Sequence, residues 1–131
     1  MATTTASLTL TSSDLTADNL SLTKSTTLLK AGATTGLDQT TGVSRKIYTS
    51  TAADTVYAAS AYGDNKAHKV YLCNPSTTPT EYFTVTVGSQ AVGRIYAGDF
   101  AFIPWDGTAD FKITPSVSTT MALEYLLIFE A

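Results

Sequence analysis

Residues 81–88, Glu81-Tyr82-Phe83-Thr84-Val85-Thr86-Val87-Gly88, alternate without a fault. Phe83, Val85 and Val87 fall on one side, Tyr82, Thr84 and Thr86 on the other, and Gly88 ends the run. Successive Cβ atoms of a strand point to opposite faces, so a period of two built from β-branched and aromatic residues predicts a half-buried strand. Just upstream, Asn74-Pro75-Ser76-Thr77-Thr78-Pro79 holds two prolines. Proline has no N–H to give a central ladder, so this stretch reads as a loop.

Outward from this strand the same grammar repeats. Thr55 to Ala61 and His68 to Cys73 are rich in Val, Tyr and Ala and are separated by Gly63-Asp64-Asn65. Val43 to Ser50 places Val43, Arg45, Ile47 and Thr49 on one face and Tyr48 on the other. Downstream, strands are expected at about residues 90–96, 99–103, 110–114 and 122–130. No segment has an apolar period of 3.6 with caps; Thr51-Ala52-Ala53-Asp54 offers one helical turn at most. Short strands at roughly ten-residue spacing, broken by Gly, Pro, Asn and Asp, predict an all-β fold, an antiparallel β-sandwich of jelly-roll type over residues 43–131.

The first 42 residues are different. All thirteen aromatics lie at or after Tyr48, whereas residues 1–44 contain 13 of the 25 Thr and 6 of the 12 Ser. A segment without large side chains cannot bury enough surface to fold alone. Leu8 and Leu10 alternate with Ser7, Thr9 and Thr11, and Leu20 and Leu22 with Ser21 and Thr23. These patterns predict an extended N-terminal arm over residues 1–42 with two or three short strands and disorder over 1–6. The last strand supplies a reason for such an arm. Leu123, Tyr125, Leu127 and Phe129 line one face, and Leu126 and Ile128 make the other apolar as well. A strand apolar on both faces needs cover on both sides. One cover is the core; the other is the arm or a neighbouring subunit.

Composition excludes several functions. With 131 residues the chain has room for one core. A net charge of −3 with 8 Lys and Arg argues against nucleic-acid binding, which needs a phosphate-neutralising surplus. One Cys excludes an intrachain disulfide and a thiolate zinc site. The apolar run Leu126-Leu127-Ile128-Phe129 is too short to span a bilayer, and Met1-Ala2-Thr3-Thr4-Thr5 lacks the pattern of a secretory signal.

Candidate catalytic residues are few. His68, the sole histidine, sits between Lys66 and Lys69, whose charge opposes protonation of a catalytic imidazole, and no Gly-x-Ser-x-Gly turn accompanies it. It reads as a surface or strand-edge residue. Cys73 reads as a small buried hydrophobe. Asp99, Asp106 and Asp110 surround Phe100–Trp105, where turn and strand-end roles outweigh a Ca²⁺ site or an acid/base pair. Trp105 follows Pro104 and either caps the end of the core, anchors an interface or, with Tyr96 or Tyr62, stacks on a sugar. No cofactor-binding motif or metal-ligand spacing is present, and the chain reads as a non-enzyme.

The block Ile95-Tyr96-Ala97-Gly98-Asp99-Phe100-Ala101-Phe102-Ile103-Pro104-Trp105-Asp106 resembles a pattern in small virion structural proteins of tailed bacteriophages. There an aliphatic strand, a Gly-acidic turn and an aromatic strand ending in Pro-Trp lead to a final strand like Ala122–Glu130. Val70-Tyr71-Leu72-Cys73-Asn74, the Thr/Pro loop and Thr84-Val85-Thr86-Val87-Gly88 fit the same layout, so the resemblance spans roughly residues 43–131. It implies a capsid decoration (cement) protein, made in the host cytoplasm, bound to the major capsid protein on the outer capsid surface of the virion, commonly as a homotrimer. Head-fibre and tail proteins use similar modules, which keeps a carbohydrate-binding tail or head-fibre role as the alternative. On either reading no nucleic acid or membrane partner is expected. The interface candidates are Leu8, Leu10, Leu20 and Leu22 of the arm, Leu126 and Ile128 of the final strand, and Trp105.

Overall fold

The computed structural model describes residues 2–130, and among them there are eleven strands and no helix. In chain order these are β1 (Thr5–Ser12), β2 (Leu20–Thr27), β3 (Gln39–Thr40), β4 (Ser44–Tyr48), β5 (Asp54–Tyr57) and β6 (His68–Cys73). They continue with β7 (Tyr82–Val87), β8 (Gln90–Tyr96), β9 (Phe100–Trp105), β10 (Phe111–Pro115) and β11 (Met121–Phe129). All pairings are antiparallel. A four-stranded sheet runs β5-β10-β7-β8, and a five-stranded sheet runs β3-β11-β6-β9 with β4 also on β11.

The inward rows of these two sheets meet in one core. On β7, Phe83 and Val85 are buried while Tyr82, Thr84 and Thr86 are not, as the alternation requires. Their neighbours in the core are Ile95, Phe111 and Ile113 from the same sheet and Val70, Leu72, Leu123 and Leu127 from the other. Tyr48 closes the gap between the sheets with its ring edge-on to Phe83, centroids 5.8 Å apart. Each such side chain contributes about 1.5–3 kcal/mol by leaving water. Asn74 is the buried polar residue at the end of β6. Its amide donates to the Ile95 carbonyl at 3.0 Å and its side-chain oxygen accepts the Ser76 N–H at 3.1 Å. The 74–79 loop is thereby tied to the β8 end, which offsets the cost of burying an amide.

The N-terminal residues divide in two. Residues 28–42 belong to the body of the fold. Leu28 and Leu37 are buried against Ile128, with Ala6 and Leu126 packed around them. An isolated bridge pairs Leu29 with Gly36, and a Cβ on Gly36 would lie 2.8 Å from the Ala2 carbonyl oxygen, so only glycine admits the segment before β1 there. Thr41 exchanges bonds with Leu127, taking its N–H on the hydroxyl at 3.1 Å and donating its own N–H to the Leu127 carbonyl at 3.0 Å. Glu130, almost fully buried, accepts the Ala31 N–H at 2.8 Å and sits 3.5 Å from Lys66. The outer face of β11 is therefore covered, at its Ile128 end, by this chain's own residues.

Residues 5–27 stand apart. β1 and β2 form a ribbon that pairs with no other strand. Thr5 and Ala6, expected to be disordered, are already paired with Thr27 and Thr26, and the Thr4 carbonyl accepts the Leu28 N–H at 2.9 Å. Met1 lies outside the described residues.

Buried phenols give the fold a definite alkaline limit. Burial raises the Tyr57 hydroxyl to about 12, and burial followed by the hydrogen bond to Glu124 raises Tyr71 to about 12. Burial and then Asp54, which accepts its O–H at 2.7 Å, push Tyr48 up as well. Unfolded tyrosines ionise near pH 10. Between pH 10 and about 12 the unfolded chain therefore binds fewer protons than the native one, and stability falls as pH rises. Urea midpoints are expected to be level from about pH 6 to about pH 10, clear of the carboxylate range, and to drop above it. Absorbance at 295 nm should show Tyr48 and Tyr57 ionising only as the fold opens, whereas Tyr71, on the outer face, can ionise in the folded chain. A Tyr57→Phe variant should have a shallower decline.

Candidate functional site

The β1–β2 ribbon has two unlike faces. Register puts Thr5, Ser7, Thr9 and Thr11 opposite Thr27, Ser25, Thr23 and Ser21, so one face is hydroxyl throughout. The other face carries Ala6, Leu8, Leu10 and Ser12 opposite Thr26, Lys24, Leu22 and Leu20. The four sequence-selected leucines thus share one side, with Leu10 directly across from Leu22. Leu8, Leu10 and Leu22 are exposed. This apolar side begins inside the fold, where Ala6 packs on the Leu28–Leu37–Ile128 cluster, and runs outward along the ribbon with nothing over it. A two-stranded ribbon alone is marginal in water, because it buries too little to offset chain entropy.

A second apolar surface lies on the outer face of the five-stranded sheet. Register aligns Arg45, Glu124, Cys73 and Phe100 in one row and Leu126, Tyr71 and Phe102 in the next. Phe100 is 66% exposed and Phe102 43%. Tyr71 donates to Glu124 at 3.1 Å, and Arg45 lies 3.3 Å from the same carboxylate. Leu126 is half-buried and Ile128 is buried beneath Leu28 and Leu37, so of the two final-strand candidates only Leu126 retains accessible surface. Cys73, expected to be buried, is half-buried on this outer face. The missed residues here are Phe100 and Phe102, whose outward parity follows from that of Trp105.

Trp105 is a core residue. It is 3% exposed, and its indole N–H donates to the Ala109 carbonyl at 2.8 Å. Tyr57, Tyr62, His68 and Phe111 surround its ring at centroid distances of 5.9, 6.4, 5.5 and 6.3 Å. Both the sugar-stacking and the interface roles need an accessible ring, so the end-of-core role is the one the structure leaves. His68 is likewise inside, with no exposed area, which corrects the surface assignment. Strand parity explains it: His68 shares the inward side of β6 with Val70 and Leu72 and pairs across with Trp105. Its Nε2 lies 3.1 Å from the Gly63 carbonyl, and no carboxylate or hydroxyl bonds the ring. A shallow cleft of about 290 Å³ opens beside it, lined by Lys66, Val87, Pro104 and Asp106.

The aspartates have local structural roles. Asp106 accepts the Thr108 N–H and hydroxyl at 2.9 and 2.7 Å, and these two bonds hold its carboxyl below the usual range. Asp110 accepts the Ala59 N–H at 2.7 Å. Asp99 lies in the β8–β9 turn, its N–H on the Tyr96 carbonyl. Among the described residues no group of three His, Cys, Asp or Glu is placed to hold a metal, and no helix is long and apolar enough to cross a membrane. The proposed aromatic partners of Trp105 part company. Tyr62 packs with it and with Phe129, whereas Tyr96 lies on the other sheet beside Tyr82, centroids 5.0 Å apart, with Arg94 over the Tyr82 ring at 4.4 Å.

In comparisons with family models, curated proteins and solved structures, nothing matches this chain.

Proposed function

We propose that this chain is a non-enzymatic virion structural protein, a decoration or cement protein that binds the outside of a phage head lattice as a homo-oligomer, in the first instance a trimer. The strand order supports the fold half of this reading. Taken in sequence, β4 to β11 change sheet at every step but the β7–β8 hairpin, so that the first, eighth, third and sixth lie side by side, as do the second, seventh, fourth and fifth. This order supports reading the sandwich as an eight-stranded jelly roll, an architecture used by viral capsid and lectin domains. The fold alone does not assign a role. The observation that carries the role is the leucine face of the β1–β2 ribbon, an arm-like element with an apolar side and no intrachain cover. Such an element fits a protein held by neighbours, and low charge lets many copies pack without strong repulsion. Binding only the assembled lattice stabilises it by RT ln(1 + [L]/Kd) per site.

The test is titration of the purified chain onto heads that lack it, with copy number counted by quantitative mass spectrometry. Saturation at hundreds of copies is expected. Removal of residues 1–27 should weaken binding by about a hundredfold or more, the low end of what losing one of several linked contacts costs, while the body stays folded. Equal binding by the shortened chain would overturn the ribbon's part. A dozen copies at the tail would favour the second reading, a tail or head-fibre module that binds carbohydrate. That alternative now rests on the exposed Tyr96 beside Tyr82 and Arg94, and glycan-dependent chemical-shift changes at those residues would support it.

A further inference from the structure

We infer that the leucine face of the β1–β2 ribbon docks on the Phe100–Phe102 face of a second copy of this chain, each copy giving its ribbon and receiving another's. Three observations lead there. First, the ribbon's apolar side starts at Ala6, where it is pressed onto the cluster that covers the outer face of its own five-stranded sheet. The leucines beyond Ala6 have the same orientation but have run past that cover. A neighbour turned the same way in a ring offers its own outer face to them. Second, that outer face is apolar where it is uncovered. Phe102, Tyr71 and Leu126 form one row and Phe100 stands beside it, with Arg45, Glu124 and Lys69 around them. The outer face of the other sheet carries Thr84, Thr86, Thr114 and Lys112 across its middle, and its exposed apolar side chains, Val92 and Tyr96, stand only on the β8 edge strand.

Third, area separates the possible modes. A ribbon of eight-residue strands is roughly 26 Å long and about 10 Å wide, so one face covers on the order of 260 Å². Two ribbons facing each other would bury about 500 Å² in total, below the ~1,000 Å² that a specific interface needs. Ribbon on sheet, exchanged both ways, doubles the contact to about 1,000 Å² and reaches that range. In a cyclic trimer each neighbouring pair shares one ribbon-on-sheet contact of about 500 Å², and three of them close the ring for about 1,500 Å² in total. Self-association requires nothing from a head lattice, so this inference and the decoration reading fail separately. A monomer that still saturates heads would overturn only this one, and a solution oligomer that ignores heads would overturn only the other.

The experiment is sedimentation velocity on the full chain with three variants: Leu10→Lys with Leu22→Lys, Phe102→Lys, and Phe100→Ser. All sit at exposed positions, and circular dichroism checks the fold. The unaltered chain is expected to be oligomeric at micromolar concentration, and each variant should weaken association by at least tenfold. Mixing the ribbon variant with Phe102→Lys leaves one intact ribbon for one intact face, half the exchanged area, so the mixture should associate more strongly than either variant alone and more weakly than the unaltered chain. A wild-type chain that is monomeric up to about 100 μM, well above the range of a stable complex, overturns the inference. So does an oligomer that Phe102→Lys and Phe100→Ser leave intact, since the leucines would then be meeting something else.

Discussion

Gly107→Ala is expected to cost about 3 kcal/mol or more, although it adds one methyl group. Gly107 has φ of 84°, where an L side chain is strained by roughly 1–2 kcal/mol. A Cβ there would lie 2.0 Å from the Gly63 carbonyl oxygen, so two backbone segments must separate. That carbonyl is the partner of His68 Nε2, and the Gly107 carbonyl in turn accepts the Ser60 N–H at 2.9 Å. Displacing the crossing leaves buried polar groups unpaired, at about 1–3 kcal/mol each. Urea unfolding and melting measure the loss, which should lower Tm by on the order of 10 °C in a chain of this size. Gly93→Ala is the control: its Cβ would meet nothing within 4 Å, and it should change stability little.

Trp105→Ala should have the other large effect, a loss of about 3–5 kcal/mol. The ring fills the end of the core among Tyr57, Tyr62, His68 and Phe111, and its removal also leaves the Ala109 carbonyl without its donor. Trp105→Phe should lose less, since most of the apolar volume remains. Because Trp105 is the only tryptophan, native emission is expected at short wavelength and should move to the red only on unfolding. Sugars should leave it unchanged. A native spectrum typical of exposed indole would contradict the core position.

The strands were readable wherever period two ran between clear breakers. β6 spans His68–Cys73 as expected, and β7 begins one residue inside the expected stretch. The need for cover on both sides of β11 was readable from Leu126 and Ile128, but the identity of the cover was not. Leu28, beside Leu29, and the lone Leu37 lie in a Thr- and Gly-containing stretch and are brought together by the Leu29–Gly36 bridge and by Thr41 on Leu127. Such long-range pairing leaves no local period. At His68 two signals conflicted. Lys66 and Lys69 suggest the surface, whereas parity with Val70 and Leu72 sends the ring inward, and parity wins because the strand is fixed by its whole inward row. Trp105 follows the same logic through its pairing with His68. For Val43 and Ile47 the reverse holds: both are apolar, but β4 turns Tyr48 inward and leaves them outside.

The hydroxyl side of the β1–β2 ribbon has a consequence for reach. Every position there is Ser or Thr, so a slip of two residues would still set hydroxyl against hydroxyl and keep leucines on the opposite side. Register is then held mainly by the single Leu10–Leu22 pair and by the anchorage at Ala6. Residues can be added to or taken from the 13–19 tip in twos without exchanging the faces. The length of the ribbon is therefore a quantity this sequence can increase or decrease while the body to which it is attached stays as it is.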